Sequence, residues 1–367
     1  MNFTETEEDI ISRMTDEAIL QRIPCIIYIG ILSFIGIIGN IHVLILFSRA
    51  DRKASTYTVF VIALSIVDLV ACVVHMPMEI LDLTKPYTFY NEVGCRLFRF
   101  NNAFLLMSSI FILVCIALER YRRVCNPMKN QMTVLTSKRL CGLCMCLSLV
   151  ITLPMYFLNG HHVVSLEGNG ANATGYMCFI NDDFHGTLFL YSYLGFMIIV
   201  FIICSTILIC AYFSISKVVF SRHANIRDSR KLSEDMRQNI STIGRLDSVQ
   251  SNISNLSNCS KHVELYRNLS AGTMKTLRLS TLRTTRSLIV ITGIFIIVFA
   301  PYLVLSCVIS LDIEFKSGLS NFELTLYQIG IRLLLINNVS NPFVYGFTDD
   351  RFKNGIQSFY CRRKQNK

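Results

Sequence analysis

Charge is what this 367-residue chain has least of. Lys, Arg, Asp and Glu make up 16% of it, where a soluble domain carries about 25%, and that shortfall excludes an ordinary soluble enzyme or binding domain. Tryptophan is absent altogether. Residues 1–22 have no positive stretch ahead of an apolar core, so no cleavable signal peptide is visible, and the first apolar segment is expected to act as an uncleaved signal anchor. No internal repeat or matched pair of interrupted segments marks a transporter. No histidine set on facing helices marks a membrane enzyme: His42 and His75 stand alone in apolar segments, and the other five lie in loops. The chain is expected not to be an enzyme.

What remains is apolar. Hydrophobic residues make up 52% of the chain, and runs long enough to span a bilayer, about 20 residues, lie near 24–48, 57–83, 97–118, 140–158, 188–216, 287–311 and 324–347. The fold class is therefore an all-α integral membrane protein, a seven-transmembrane helix bundle followed by a short amphipathic eighth helix. With the N-terminus outside, 28 of the 35 Lys and Arg residues fall in inner segments, as the positive-inside bias requires. The net charge of +10 thus reports topology and attraction to the anionic inner leaflet rather than nucleic acid.

The expected organisation is an outer N-terminus (1–22), the bundle (23–348) and an amphipathic helix with a tail (349–367). An unstructured, Ser/Asn/Thr/Arg-rich inner loop over 221–283 interrupts the bundle. Sequons at Asn2 and Asn172 lie on outer segments and predict glycosylation. Cys95 and Cys178 both face the oxidising side, which predicts a disulfide pinning the fourth-to-fifth loop over the bundle. Phe352, Ile356, Phe359 and Tyr360 recur at helical spacing, consistent with a helix on the inner leaflet, and Cys361 at its end is a palmitoylation candidate.

Ionisable and amide side chains inside the spans carry the functional signal. Asp68 lies deep in the second span, Asn40 in the first, and Asn337, Asn338 and Asn341 in the seventh. They form either a polar hub with room for water or a cation, or plain glue between helices. Pro342 beside Asn341 removes a backbone bond and kinks the helix, marking a joint. In ALERYRRVCNP, residues 117–127, Glu119, Arg120 and Tyr121 close the third span. Arg120 is either a switch, paired in one state and released in another, or a positive-inside anchor neutralised by Glu119.

These motifs, in this order, resemble the class A, rhodopsin-like G-protein-coupled receptors over roughly 24–361. The matching residues are Gly39-Asn40, Leu64 and Asp68, the Cys95/Cys178 pair, Glu119-Arg120-Tyr121, Pro127, Tyr212, Phe295, Pro301 and Asn341-Pro342-Phe343-Val344-Tyr345. The resemblance implies a receptor in the plasma membrane that activates a heterotrimeric G protein. Arg120 would engage the G protein once the sixth helix swings outward, with Tyr212 and Tyr345 stabilising that open state. Asp68, Asn40 and Asn341 would form a sodium- or water-filled hub; no other cofactor is implied. Receptor kinases and arrestin would act on Ser and Thr of the inner loop and tail. The chain departs from the family pattern where tryptophan is expected: Phe299 stands two residues before Pro301, with Val298 before it, and Cys144 and Cys204 replace the usual fourth-helix Trp and fifth-helix Pro. Thr281 stands where an acidic partner for Arg120 often lies, implying raised basal activity.

Ligand classes narrow by what is missing. No Lys lies in 324–347, which argues against a retinal Schiff base, and Asn102 stands where amine receptors of the family carry an Asp. The outer segments are acidic, a charge balance suited to steering a basic ligand or simply to a solvated face. Glu79 and Asp82, one turn apart, are placed to meet a ligand's Arg or Lys, and Arg99, Asn102, Tyr302, Gln328 and Arg332 are the other polar groups expected in the pocket. Arg99 and Arg332 either hold a ligand carboxylate or pair with Glu79 and Asp82 when it is empty. The likeness is nearest to neuropeptide-type receptors, so a peptide ligand is expected; a chemosensory receptor for a small molecule on the same scaffold is the alternative.

Overall fold

A computed structural model of the chain describes residues 5–48, 55–168, 171–243, 289–306, 308–309, 318–348, 352, 355 and 357, with backbone alone over 222–243. Helix α1 spans Glu7–Ser48, α2 Thr56–Thr84 with a π-helical turn at Ala71–His75, α3 Glu92–Cys125 and α4 Val134–Leu158. A β-hairpin follows, β1 at Asn159–Glu167 and β2 at Asn172–Ile180, antiparallel with His161 opposite Cys178. Then come a 3₁₀ turn at Asp182–Phe184, α5 at Leu188–Ile243, α6 at Ile289–Ser306, α7 at Asn321–Gly330 and α8 at Leu335–Thr348.

The helical membrane fold follows from burial. Among the described residues six helices are long and apolar enough to cross a bilayer. Their outward faces carry large exposed side chains, among them Phe34 at 67% and Val150 at 68%, an apolar belt that water would not tolerate over so wide an area. Inside, Phe60, Leu64, Ile110, Leu113, Ile116, Phe295 and Tyr345 form one buried core. Small residues bring α1 close to its neighbours: a Cβ on Gly36 would lie 2.4 Å from the Cys72 sulfur, and one on Gly39 2.9 Å from Pro342.

Four features depart from the sequence expectation. First, α1 does not begin at the first span but at Glu7, running through Pro24, so residues 7–22 are helical rather than a separate outer tail. Thr6 and Asp9 exchange hydrogen bonds at its start, the Thr6 hydroxyl donating to Asp9 at 2.6 Å. Ile10 is buried against Leu166 and Ala173 of the hairpin, and Glu7 accepts from the Thr174 N–H at 3.1 Å. Second, α5 continues to Ile243, so 221–243 is helix where an unstructured loop was expected. No Gly or Pro lies between Gly195 and Gly244, so nothing in that stretch breaks a helix. Third, the seventh span is two helices: α7 ends at Gly330, and N–H groups of 332, 333 and 335 bond three residues back, the tighter pitch that marks a joint. Fourth, the fourth-to-fifth connection is a hairpin, signalled by alternating residues on either side of the Gly-rich stretch at 168–171.

Cys95 at the start of α3 is joined to Cys178 of β2, with Cα atoms 5.4 Å apart. The hairpin also pairs with the α2–α3 link, where Tyr176 donates to Tyr87 at 2.8 Å and accepts from Phe89 at 3.0 Å. It therefore roofs one end of the bundle.

Candidate functional sites at the two ends of the bundle

Beneath the hairpin, a buried charge network joins α2, α3 and the seventh span. Arg332, in the turn between α7 and α8, donates from Nε to Glu79 at 2.8 Å and from Nη1 to the Gln328 side chain at 2.6 Å, and its Nη2 lies 3.9 Å from Asp82. Arg99 of α3 reaches Asp82 at 3.3 Å and donates to the Cys178 carbonyl at 2.8 Å, tying the network to the disulfide. Glu79 is 5% and Arg332 6% exposed, a depth at which an unpaired charge is costly. The π turn Ala71–His75 adds a residue to α2 just before Glu79, an insertion of the kind that re-aims functional side chains.

Sequence reasoning missed one member of this network. His75 lies 3.7 Å from Glu79 and stacks on Phe98 at 5.5 Å, and the Arg99 guanidinium sits 5.0 Å over the same ring. The signal available was His75-x-x-x-Glu79, one helical turn. Asn102 and Tyr302 are half-buried, and Tyr302 meets Phe299 edge-on at 5.6 Å.

Roughly 33 Å along α2 from Glu79, at 1.5 Å per residue, a second buried group surrounds Arg120. Its Nε lies 3.4 Å from Glu119, and its guanidinium sits 4.3 Å over the Tyr57 ring of α2. Glu119 is shared: Arg123 approaches it at 2.6 Å and the Thr56 hydroxyl donates to it at 2.7 Å. Thr56, Tyr57 and Arg123 were not singled out in the sequence, because only the fold brings the start of α2 against the end of α3. Tyr121 is half-buried, while Tyr212 and Tyr345 are buried. Tyr345 packs edge-on against Phe47 at 6.3 Å. Thr281 lies outside the described residues.

Between the two ends, Asn341 donates to Asp68 at 2.7 Å, and Asn40 donates to the carbonyls of Gly36 at 3.0 Å and Asn338 at 2.9 Å. Asn338 thus joins through its backbone. Asp68 Oδ1, Asn40 Oδ1, Asn341 Oδ1 and both side-chain polar atoms of Asn337 have no hydrogen-bond partner among the described residues. Buried oxygens in that condition are suited to water or a hard cation, so the donor set fits a sodium ion. Toward α5, Phe299 stacks on Phe201 with centroids 4.0 Å apart and touches Phe295 at 5.4 Å; Pro301 is two residues further on. Asn172 opens β2 and is exposed; Asn2 and Cys361 lie outside the described residues, as does most of 349–361, although Phe352 is buried and stacks on Phe47 at 6.3 Å.

Known proteins share this fold. The family model "7 transmembrane receptor (rhodopsin family)" matches residues 39–345. Cholecystokinin receptor type A of Cavia porcellus is 24% identical over 91% of this chain and 80% of its own. 5-Hydroxytryptamine receptor 4 of the same species is 23% identical over 93% and 80%. Neuromedin U receptor homolog nmur-2 of Caenorhabditis elegans is 27% identical over 43% of this chain, which spans only 40% of that relative's length. The crystal structure of squid rhodopsin superposes with a TM-score of 0.62 at 17% identity, covering 91% of this chain and 83% of the squid protein, a likeness of fold. This multi-pass membrane protein belongs to the rhodopsin family of seven-transmembrane receptors.

Proposed function

We propose that this receptor lies in the plasma membrane with its N-terminus and hairpin outside, binds a peptide, and activates a heterotrimeric G protein. The observation that carries the reading is the network of Glu79, Asp82, Arg99 and Arg332 under the hairpin. Two acids and two guanidiniums held across three elements are partners that a peptide's basic side chain and carboxylate can exchange with. Exchange at Arg332 acts on the turn between α7 and α8, and so on the helix carrying Asn341, Pro342 and Tyr345. Two relatives, named for cholecystokinin and neuromedin U, support a peptide. The amine alternative lacks its acid, since Asn102 stands in α3.

Signal transfer runs through the stacked Phe201, Phe295 and Phe299 to the inner end, where outward movement of α6 frees Arg120 to engage the G protein. A sodium ion at Asp68, held with Asn341, would stabilise the resting arrangement by supplying positive charge to a buried carboxylate. Receptor kinase and arrestin act on Ser and Thr of the inner loop and tail, and the tail meets membrane lipid. The test is G-protein dissociation in cells challenged with pooled peptides and then with small molecules. A peptide response that disappears in Arg120→Ala at equal surface expression is expected. A response to small molecules alone would overturn the peptide reading in favour of a chemosensory receptor.

A further inference from the structure

The hairpin carries a second cluster that the charge network does not use. His162 of β1, Asp182 of the 3₁₀ turn and His185, three residues before α5, each offer one donor atom within 4.8 Å of the others. His162 Nδ1 already meets one Asp182 oxygen at 2.5 Å, while the other accepts from the Val163 N–H at 3.0 Å. The carboxylate is therefore aimed by the strand. Phe179 forms a wall behind both imidazoles, edge-on to His162 at 6.1 Å and stacked on His185 at 6.2 Å. Those two rings are half-buried with centroids 5.4 Å apart. The Nε2 atom of His185 is buried without a hydrogen-bond partner among the described residues, a cost that a structure bears where something else supplies the partner.

We propose that His162, Asp182 and His185 bind a zinc ion that ties the hairpin to the entry of α5. Two imidazoles and one carboxylate are the ligand chemistry of Zn²⁺, whereas Ca²⁺ and Mg²⁺ require oxygen donors. Ligand atoms of a tetrahedral zinc site lie about 3.3–3.6 Å apart, so the His162–Asp182 pair, now at 2.5 Å, opens as the ion enters, while separations of up to 4.8 Å close, shifts within reach of an exposed carboxylate and two half-buried rings. A water molecule completes the fourth position. His161 Nε2 is also unpartnered, but neighbouring strand residues face opposite ways, so His161 lies off the site and serves as a control. Because His161 pairs with Cys178 across the hairpin, bound zinc would stiffen the roof one residue from the disulfide that leads to Arg99.

The test is Zn²⁺ binding to the purified full-length receptor in lipid nanodiscs, read by competition with a fluorescent chelator. One saturable site is expected, weakened at least about tenfold in His162→Ala, His185→Ala and Asp182→Ala, unchanged in His161→Ala, and not displaced by millimolar Ca²⁺ or Mg²⁺. Asp182→His, which supplies a third imidazole, is expected to retain the site and so separates ligation from folding. Absence of saturable binding would overturn the proposal, as would zinc binding that survives both histidine substitutions. The assay involves neither peptide nor G protein, so its outcome is independent of the signalling proposal.

Discussion

The bundle holds a buried arginine near each end, and the two are held differently. Arg332 is fixed by partners from other helices, Glu79 and Asp82 of α2, along with Gln328 one turn earlier. Arg120 shares an acid with Arg123 on its own helix, and its contact with α2 is the face of the Tyr57 ring. The first arrangement stitches helices together and opens only when another charge replaces a partner. The second keeps its ionic contacts inside α3, so helices can shift around it at small cost. A staple under the hairpin and a latch at the far end suit ligand reading and signal release respectively.

The sharpest break in that comparison comes from removing one partner of the staple. Arg332→Met leaves Glu79 buried without its arginine, with His75 3.7 Å away, which costs about 3–5 kcal/mol. Thermal unfolding of purified receptor is expected to show a large loss, and the Glu79→Leu/Arg332→Met double variant to recover most of it. Cutting the disulfide with Cys95→Ser/Cys178→Ser is next, at about 2–5 kcal/mol, read in the same assay. At the latch, Tyr57→Leu removes a ring face worth about 0.5–2 kcal/mol. Its expected signature is a rise in ligand-free G-protein dissociation with little change in thermal stability, the reverse of Arg332→Met. The smallest effect is at the hub. Asp68→Asn keeps the hydrogen bond to Asn341 and removes the charge, so raising NaCl against a choline control should shift wild-type stability by a few degrees and the variant not at all.

Most of the bundle and many of its polar members were legible in the sequence because both follow from the cost of polar groups in hydrocarbon. Asp68 and Asn341 stand out against apolar neighbours wherever they end up, and the structure puts them 2.7 Å apart. Cys95 and Cys178 were legible for another reason, as cysteines on the oxidising outer side. What escaped depends on tertiary contact or backbone register. Tyr57 and Thr56 look like ordinary residues at a helix start, and only the packing of α2 on α3 makes them neighbours of Arg120. His75 looked solitary because its stacking partner, Phe98, lies on another helix. The π turn of α2 and the break after Gly330 leave little trace in an apolar run, since hydropathy is indifferent to one residue more or less per turn. The helical path of 7–22 is set by the hairpin it lies on, a distant segment whose own strands were missed.

The most direct test of the staple-and-latch account compares Arg332→Gln and Arg120→Gln in one assay. Binding of a labelled active peptide and G-protein dissociation are measured together at matched surface expression. The account predicts that Arg332→Gln loses binding and signal in parallel, whereas Arg120→Gln keeps binding and loses dissociation. An Arg120→Gln receptor that still dissociates the G protein at the wild-type level would contradict it.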